Sequence, residues 1–592
     1  MKTLQKLGRR PIVLTAPAFV LLIAVLGIPM VQLLLTSLNA PAFSLSNYQG
    51  FFEQTSNVRV LFQTVKISVV TTAICLIIGY PTAYLIVSAS KHVRIALIVL
   101  VLIPWLTSGL VRTYAWVVIL GDHGLINNLL LNLGLISSPV PLIYNRLAVY
   151  IGMVHIMLPM MILPLLSVMQ GIDTSLLAAA RSMGAGPFLA FWRVFLPLSL
   201  PGIRSGSLLV FVVCLGFYVT PQALGGLGDA MLSTFIASQV ASSFNLAPTA
   251  AAAFILLGIA LVVLSIFGLD VSGSQGRAAR ATRKSLPSPL PSFAALTRFL
   301  KDLAAPYRAK RWTAQLYSAR GDSRLSSIVG AVFVTLVMAY LLFPGLIVVM
   351  MSFSGGPALE FPPSSLSLKW YRAFLGDPSW TGAFWNSIQI AVTVAILSTI
   401  LGTLAAYGFN RTSRRVRSVL TMAILAPITF PAIVVGIATY FGLLKLGLLG
   451  TRSGLVLAHS TGAITSVVVI VLATLANFDQ RLERAAQSMR AAPIQVFMRV
   501  TLPLILPGII GGAVFAFIGS FDEVIITSLV SGFDMQTLPL KMLENIRQEI
   551  DPTIAAVGSL LTLMPLLWLM ILYATWWWSK SRLQQLSAKP PA

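Results

Sequence analysis

Long apolar runs separated by short polar gaps dominate this sequence and limit what it can fold into. A membrane-spanning helix needs roughly 20 apolar residues. Inside a bilayer the backbone must satisfy its own hydrogen bonds, and a helix does this within one segment. Twelve runs are long enough, near residues 12–38, 65–88, 95–120, 147–170, 204–224, 249–270, 327–351, 385–409, 418–442, 454–476, 510–530 and 553–578. The sequence therefore predicts an all-α integral membrane protein with about twelve transmembrane helices in contact with lipid.

Composition excludes a soluble fold of this size. Only 10% of the 592 residues are charged and 57% are apolar, whereas about 25% of a soluble protein is charged. The net charge of +24 is spread over the short gaps between apolar runs, as in the cytoplasmic loops of membrane proteins. A nucleic-acid-binding protein instead clusters its basic residues on a soluble domain, so we expect no nucleic-acid partner.

The sequence has no pattern typical of catalysis or of metal binding. Cys75 and Cys214 both fall inside apolar runs, which excludes a disulfide scaffold and a cysteine-rich metal site. There is no GxxxxGK[ST] phosphate loop and no His/Cys/acid cluster with metal-ligand spacing. His155 and His459 are predicted to be hydrogen-bonded structural side chains. We therefore expect no catalytic residue, no metal and no cofactor in this chain.

Basic residues predict the orientation of the helices. They lie before the first span and after the second, eighth and twelfth: Lys2, Lys6, Arg9, Arg10, Lys91, Arg94, Arg411, Arg414, Arg415, Arg417, Lys580 and Arg582. Since Lys and Arg concentrate in cytoplasmic loops, both termini are predicted to be cytoplasmic. The first apolar run exceeds a signal-peptide core of roughly 7–15 residues, so it is predicted to remain as a membrane helix.

A basic segment divides the chain into three predicted parts. Residues 271–326 contain eleven Lys or Arg and two acids, which is typical of a cytoplasmic linker. The parts are residues 1–270 with six spans, the linker 271–326, and residues 327–592 with six spans. Within the linker, residues 292–303 could form an amphipathic helix on the membrane surface; a tether without a specific partner is the alternative.

The two six-span halves share a repeated loop. Asp173–Ile203 aligns without a gap on Asp479–Ile509, with 18 of 31 positions identical; we call them the first and second elbow. Six spans separate the copies, so the halves have the same orientation and a pseudo-two-fold axis along the membrane normal. A pathway between the halves is predicted, whereas a helical scaffold without transport is the alternative.

The composition of the first elbow predicts a rigid helix–turn–helix on the cytoplasmic side. Small alanines allow another surface to approach, and a glycine can adopt positive φ and end the first short helix. Two prolines are predicted to break regular helix and redirect the chain, before a last glycine that allows close packing. These residues are Ala179, Ala180, Gly184, Pro197, Pro201 and Gly202. The elbow is predicted to dock into a cytoplasmic partner.

Both elbows resemble the EAA loop of binding-protein-dependent ABC-importer permeases. That pattern is Glu-Ala-Ala, three residues, Gly, and then Leu-Pro and Pro-Gly-Ile. Ala178 occupies the Glu position of the first copy, and Arg484 occupies it in the second, directly after Glu483. The corresponding residues of the second elbow are Glu483, Ala485, Ala486, Arg490, Pro503, Pro507 and Gly508.

The resemblance implies a type I ABC-importer permease fold and a set of partners. In that family the loop docks on ATPase subunits, so two of them are expected, binding ATP and Mg²⁺, together with a periplasmic or lipoprotein solute-binding protein. It implies a location in the bacterial cytoplasmic membrane. Arg490 stands where the turn glycine belongs, and positive φ would strain it by about 1–2 kcal/mol. The second elbow is therefore expected to differ in shape, and the two ATPase contacts to be unequal.

Further similarity suggests the substrate. Residues 104–130 and 216–226 resemble the B-type permease of spermidine/putrescine importers, and residues 384–411 and 519–532 resemble the C-type permease. Coverage is nearly complete outside the linker, as in two permeases fused into one chain. The implied substrate is a polyamine. The alternatives are 2-aminoethylphosphonate, thiamine or ferric iron, and an ion-coupled secondary transporter, which would leave the repeated elbow without a role.

Polar and aromatic residues inside the spans are candidates for the substrate pathway. A polyamine needs carboxylates and aromatic faces, and ionisable residues at membrane depth usually act. The candidates are Asp522, Glu523, Arg112, Trp105, Tyr114 and Tyr218. Asp522 and Glu523 are expected on one helix about 100° apart, with Asp522 facing the pathway. Arg112 is expected either to pair with these acids as a gate or to extend to the outer surface.

Overall fold

The described residues of this computed structural model are all helix, turn or loop. They are 11–243, 245–267, 323–356, 361–363, 365–532, 535–548, 552–564, 567 and 570. Within them the only β-pairing is an isolated bridge between Ser354 and Leu366, so the predicted all-α fold is confirmed. The predicted surface helix at 292–303 and the second half of the twelfth span lie outside the described residues.

The described residues of the first half form twelve helices, connected mostly by short turns. In chain order they are α1 (Ile12–Ser37), α2 (Ser46–Glu53), α3 (Thr55–Ser88), α4 (Lys91–Leu106), α5 (Gly109–Leu120), α6 (Leu125–Asn132), α7 (Arg146–Gln170), α8 (Thr174–Ser182), α9 (Pro187–Leu215), α10 (Val219–Leu224), α11 (Leu232–Ser242) and α12 (Ala247–Phe267).

The second half repeats this order without a counterpart of α6. Its described helices are α13 (Ser323–Met351), α14 (Lys369–Gly376), α15 (Pro378–Asn410), α16 (Arg414–Thr429), α17 (Ala432–Lys445), α18 (Arg452–Ala476), α19 (Arg481–Ser488), α20 (Pro493–Phe521), α21 (Ile525–Val530), α22 (Leu538–Gln548) and α23 (Thr553–Met564).

Helix boundaries show that the repeat extends well beyond the elbows. From the start of each half to the end of α5 or α17, equivalent residues are 323 positions apart. For example, α3 begins at Thr55 and α15 begins at Pro378. From α7 and α18 onward, equivalent residues are 306 positions apart. For example, α7 begins at Arg146 and α18 begins at Arg452. The offset changes because the first half has a longer connection between α5 and α7, and this connection contains α6.

Both halves contribute to one compact unit, Met1–Leu269 with Tyr340–Ala592, and Asp270–Ala339 forms a second unit. The division at residues 270 and 326, proposed from composition, stays a prediction.

Two of the predicted spans are broken. Among the described residues, nine helices are long and apolar enough to cross a membrane, or up to eleven if each bent pair is one span. The bent pairs are α4 with α5–α6, at 91°, and α16 with α17, at 98°. The prediction that the third and ninth spans are continuous helices is therefore wrong. After each break the next helix starts from a capping position. The Ser108 hydroxyl caps α5, and the ring of Pro431 fixes φ immediately before α17.

The elbow prolines do not redirect the chain, which corrects the sequence prediction. Helix α9 begins at Pro187 and α20 at Pro493, well before the predicted starts at 204 and 510, and both helices continue through their later prolines. A π-helical turn, Phe191–Phe195 or Phe497–Thr501, precedes the first Leu-Pro of each copy. The wider turn leaves room for the proline ring that would otherwise strike a carbonyl one turn earlier.

Helices α7 and α18 form the centre of their halves, and more than half of the residues of each are buried. Each is flanked by glycines of two neighbouring helices. An added Cβ on Gly79 of α3 or Gly206 of α9 would lie 3.0 Å from the Met161 side chain. In the second half, a Cβ on Gly402 of α15 would lie 2.8 Å from Val467 Cβ. Small residues thus let the backbones approach closely, which is how membrane helices pack.

Replacing Gly402 by Ala is expected to destabilise the protein. The new methyl group would press on the β-branched side chain of Val467, and overpacking of this kind costs about 1–3 kcal/mol. Thermal unfolding in detergent would measure the loss. Gly462→Ala on α18 is the matched control because its Cβ would meet no atom within 4 Å. An unchanged unfolding midpoint for Gly402→Ala would contradict this packing.

Candidate functional site

Four helix breaks bring the two halves together. In the first half, one break separates α4 from α5 and the other separates α9 from α10. In the second half, the breaks separate α16 from α17 and α20 from α21. The break after α20 meets the start of α5, and the break after α9 meets the start of α17. We call this region the seam. Because α9 and α20 are equivalent helices, the two junctions are related by the repeat.

Asp522 closes the first junction by capping a helix of the other half. Helix α20 ends at Phe521, so Asp522 lies in the break. The Ser108 hydroxyl donates to Asp522 Oδ1, and the Gly109 N–H donates to Oδ2 at 3.1 Å. The N-terminus of a helix has unpaired N–H groups and a partial positive charge. A carboxylate from the second half therefore stabilises the start of α5 in the first half.

Glu523 caps a different helix. Its Oε1 accepts a hydrogen bond from the Ile526 N–H at 2.8 Å, at the start of α21. The expectation that Asp522 and Glu523 lie on one helix is therefore wrong, because the chain leaves helical geometry where they occur. The two carboxylates satisfy backbone groups at two helix ends. Whether either also contacts substrate stays a prediction.

Arg112 lies beside this junction and is buried, with 7% of its surface exposed. Its Nη2 and Asp522 Oδ2 are both 3.9 Å from the position that a Cβ on Gly109 would take. Among the described residues, the ion pairs closer than 4.0 Å are Arg146–Asp229 and Arg411–Glu483, so Arg112 is next to Asp522 without a direct bridge. An arginine that extends to the outer surface would be exposed, and this one is not.

The second junction has no charge. Asp522 is equivalent to Gly216, 306 positions earlier. A Cβ on Gly216 would lie 2.9 Å from the Ala432 nitrogen and 2.9 Å from Pro431 Cβ. The break thus packs directly on the start of α17, where Pro431 has no N–H to satisfy. The seam is therefore polar on one side of the axis and apolar on the other.

The predicted aromatic residues occupy three different environments. The Trp105 ring lies 5.6 Å from the Phe515 ring of α20, across the seam. Tyr114 is fully buried on α5. Tyr218 lies between α9 and α10 and lines a cavity at the seam. Since α4 ends at Leu106 and α5 begins at Gly109, Trp105 and Arg112 lie on different helices.

The seam contains a partly open cavity of about 350 Å³. Most of its lining residues form pairs 306 positions apart, one from each half: Gln222 with Ser528, Thr234 with Leu540, Ala237 with Leu543, and Ser238 with Glu544. The cavity therefore lies on the pseudo-two-fold axis. Glu544 is the one charged residue among the described residues that line it.

Sequence reasoning missed most of this cavity. Tyr218 was a candidate, but Gln222, Ser238, Ser528 and Glu544 were not. Helices α11 and α22 are short, and they were not recognised between the predicted spans. The 306-residue offset of the elbows, extended toward the C-terminus, would have paired Ser238 with Glu544.

Both histidines are buried and hydrogen-bonded, as predicted. His459 contacts the Ser520 hydroxyl through Nδ1 at 2.9 Å and the Thr527 hydroxyl through Nε2 at 3.0 Å. His155 Nε2 lies 3.1 Å from the Leu341 carbonyl oxygen.

The elbows have the same backbone despite their different turn residues. Gly184 has φ +85° and Arg490 has φ +61°. The Ala185 N–H donates to the Ala180 carbonyl at 3.0 Å, and the Ala491 N–H donates to the Ala486 carbonyl at 3.2 Å. The expectation that Arg490 changes the shape of the second elbow is therefore wrong. The helix-ending hydrogen bonds hold Arg490 in the left-handed region in spite of its Cβ.

The apex of each elbow is exposed and apolar. Met183 is 82% exposed and Met489, its equivalent, is 81% exposed. Further exposed pairs follow at the same offset, Phe188 with Ile494 and Trp192 with Met498. In each alanine pair the first residue, Ala179 or Ala485, is exposed, and the second, Ala180 or Ala486, is buried against its own elbow.

Each elbow begins with an aspartate that caps its first helix. Asp173 Oδ1 accepts from the Ser175 N–H at 2.8 Å, and this bond lowers the pKa of the Asp173 carboxyl. Asp479 makes the same contact with the Arg481 N–H at 2.9 Å.

The last glycine of each elbow packs against the end of the central helix. A Cβ on Gly202 would lie 3.3 Å from Leu165 Cα, and one on Gly508 would lie 2.1 Å from Thr474 Oγ1. The predicted tight approach at these two glycines is therefore present.

The elbows are fixed to their own halves by different chemistry. In the second half Glu483 is buried and accepts hydrogen bonds from Arg411, at the end of α15, and from Thr501. The Arg411 guanidinium also lies 3.4 Å from the centre of the Tyr407 ring. Glu483 is therefore directed into the protein rather than toward a partner.

The first half lacks this ion pair and is joined through aromatic rings alone, whereas the second half has both, since its Tyr407 ring also lies 4.7 Å from the Phe497 ring, edge to face. The ring of Tyr84, equivalent to Tyr407, lies 5.3 Å from Phe191 and 5.0 Å from Phe195, both edge to face. The position of Glu483 is occupied by Leu177. Apolar contacts in the first half and an ion pair in the second half thus hold elbows of the same geometry.

Asp522→Ala is expected to speed hydrogen exchange at the Gly109 amide. The variant removes the acceptor of that N–H, and a hydrogen bond to a charged group contributes about 1.5–3 kcal/mol, so exchange should accelerate by about tenfold or more. Hydrogen–deuterium exchange with mass spectrometry on the purified protein would measure it. Glu523→Ala is the matched control, and should affect Ile526 while Gly109 is unchanged. Equal exchange at Gly109 in wild type and Asp522→Ala would show that the cap does not form.

A family model and a solved structure each match part of this chain. A family model described as "Binding-protein-dependent transport system inner membrane component" matches residues 398–577. A solved bacterial ABC transporter involved in the import of the acidic polysaccharide alginate aligns with 43% of this chain and 96% of that chain, at 20% identity and a TM-score of 0.35. A TM-score this low carries no argument about fold.

Curated relatives resemble this chain more strongly. The spermidine/putrescine transport system permease protein PotB of Haemophilus influenzae is 37% identical over 34% of this chain and 70% of PotB. PotB of Escherichia coli is 34% identical over 33% of this chain and 71% of PotB. The putrescine transport system permease protein PotI of Escherichia coli is 32% identical over 39% of this chain and 84% of PotI.

Each relative accounts for about a third to two-fifths of this chain, as one permease of a fused pair does. The relatives are transport permeases, and the helices long enough to cross a membrane agree with that role. Because this chain covers 70% of one relative at 37% identity and 84% of another at 32%, it belongs to the inner-membrane permease components of binding-protein-dependent ABC importers.

Proposed function

We propose that this chain forms the whole translocation pathway of an ABC importer for a polyamine, with ATP hydrolysed by two separate ATPase subunits. The observation that supports the coupling most directly is the pair of elbows. They have the same backbone, expose equivalent apolar residues and follow equivalent helices, α7 and α18. Two matching contacts fit two ATPase subunits, and ATP and Mg²⁺ would be bound there rather than in this chain.

The orientation and organisation follow from the same proposal. The elbows and both termini face the cytoplasm of a bacterial inner membrane, in line with the basic residues near the chain ends. Residues 1–270 and 327–592 act as two permease repeats joined by the linker 271–326. A periplasmic or lipoprotein solute-binding protein delivers substrate to the opposite end.

Two observations favour a polyamine. PotB and PotI are named for spermidine and putrescine transport. The seam also holds a cavity with a carboxylate, Glu544, and an aromatic ring, Tyr218, which are the groups that bind alkylammonium ions. Asp522, Glu523, Arg112, Trp105 and Tyr114 surround the helix breaks that must separate when the halves move apart.

Reconstitution tests the function. The chain, its ATPase and its binding protein would be placed in liposomes with ATP and Mg²⁺ inside, and uptake of radiolabelled spermidine and putrescine measured. We expect ATP-dependent uptake of a polyamine and none without the ATPase. Uptake driven by an ion gradient without the ATPase would replace the proposal with a secondary transporter. ATP-dependent uptake of 2-aminoethylphosphonate, thiamine or ferric iron instead would overturn the substrate.

Elbow variants test the coupling. Met183→Glu and Met489→Glu place a charge at the exposed apolar apexes, and burying an unpaired charge against a partner is costly. Each single variant should reduce co-purification of the ATPase, and the double variant should reduce it by about tenfold or more, which corresponds to about 1.4 kcal/mol. Leu133→Glu is the matched control, since Leu133 is also exposed but lies before α7, at the opposite end from the elbows. Unchanged co-purification of the double variant would contradict docking through the elbows.

A further inference from the structure

We infer that the second elbow docks on an acidic surface of its ATPase subunit through three exposed arginines, Arg481, Arg484 and Arg490, which we call the arginine face. The inference rests on the proposed function and deepens it, because it assigns a chemistry to one of the two ATPase contacts. The contact made by the first elbow is apolar and has no such face.

The arginine face occupies positions that are neutral in the first elbow. The equivalent residues, 306 positions earlier, are Ser175, Ala178 and Gly184. All six residues are exposed. Since the two elbows have the same backbone, their outward surfaces differ at these positions in charge rather than in shape.

The arginine face is continuous with the elbow apex. Arg481 and Arg484 are three residues apart on α19, and residues at this spacing lie on the same side of a helix. The inward side of α19 contains Glu483, which is buried. Arg490 follows at the turn, next to Met489, which is 81% exposed. A partner that covers the apolar apex would therefore also meet the arginines.

Two of the three positions are unfavourable for the fold. Arg481 is the first residue of α19, where a cation opposes the partial positive charge of the helix N-terminus. Arg490 has φ +61°, a conformation that its Cβ disfavours. The first elbow reaches the same shape with a serine and a glycine at these positions. Residues that oppose the local structure in this way are typical of functional surfaces.

The acids near the arginine face are already used by the elbow itself. Among the described residues, no ion pair closer than 4.0 Å involves the arginine face. Glu483, on the same helix, is bound to Arg411. Asp479 caps α19 by accepting from the Arg481 backbone N–H, and Asp173 caps the first elbow in the same way. The arginine side chains thus present positive charge to a partner, and carboxylates are the protein groups that pair with guanidinium.

Giving the second elbow the residues of the first tests the inference. The triple variant Arg481→Ser/Arg484→Ala/Arg490→Gly removes the charge and keeps a backbone that the first elbow already adopts. Binding of the purified ATPase to the chain would be measured in phosphatidylcholine nanodiscs at about 50 and about 500 mM salt, because salt screens exposed charges. At the lower salt we expect the triple variant to bind at least about fivefold more weakly than wild type. Raising the salt should weaken wild-type binding and change that of the triple variant much less.

Thermal unfolding of the same proteins separates docking from stability. The triple variant should unfold at a temperature at least as high as wild type, because it removes a cation from a helix N-terminus and a Cβ from a left-handed residue. A purely structural role for the arginines would instead lower the unfolding temperature and the binding together. Arg417→Ser is the matched control, since Arg417 is an exposed arginine of α16, outside the elbows. It should leave ATPase binding and its salt dependence unchanged.

Three results would overturn the inference. One is wild-type ATPase binding by the triple variant at low salt; the proposed docking would still stand if Met183→Glu/Met489→Glu weakened binding. The second is a loss of binding seen only in nanodiscs that contain phosphatidylglycerol, because the arginines would then bind lipid phosphates. The third applies if the triple variant does not fold. Arg484→Glu, at an exposed helix position that tolerates Glu, should then weaken binding more than Arg484→Ala does, and equal binding by these two variants would exclude an acidic partner.

Discussion

A helix that stops inside a membrane protein leaves backbone N–H and C=O groups without partners, and the rest of this structure depends on how those groups are satisfied. The chain breaks four spans near the contact between its halves. At one junction a carboxylate, Asp522, accepts from the first turn of α5. At the other, proline removes an N–H and glycine allows close packing. Both solutions join a helix end of one half to the other half.

This dependence explains why the helix breaks and the cavity occur together. Polar groups in a bilayer are tolerated where they are buried in protein or face a wet space. Once the breaks meet across the axis, the short helices α10, α11, α21 and α22 surround the space between them. The same breaks give each half a place to separate from the other, which is what alternating access requires of a permease built from two repeats.

The two halves have equivalent helices but different side-chain charges at equivalent positions. Asp522 is equivalent to Gly216, Glu483 to Leu177 and Glu544 to Ser238, so at these three pairs the acid belongs to the second half. The helix boundaries of the halves nevertheless agree at fixed offsets. The fold is therefore maintained by packing and backbone hydrogen bonds, and side-chain charge is free to differ between the halves.

The amino-acid sequence alone determined the helical membrane fold, the two-fold repeat and the elbows, because apolar run length and a gapless 31-residue match are properties of the chain itself. The paths of α9 and α20 through their prolines depended on a π-helical turn, and the left-handed Arg490 on hydrogen bonds closing around it. The hydrogen-bond partners of Asp522, Glu483 and Glu544 were also known only from the tertiary structure. Asp522 contacts Ser108, which is 414 residues away, and nothing in local periodicity relates them. Burial and helix ends are decided when the halves pack, so the chemistry at the seam is a property of the assembled fold.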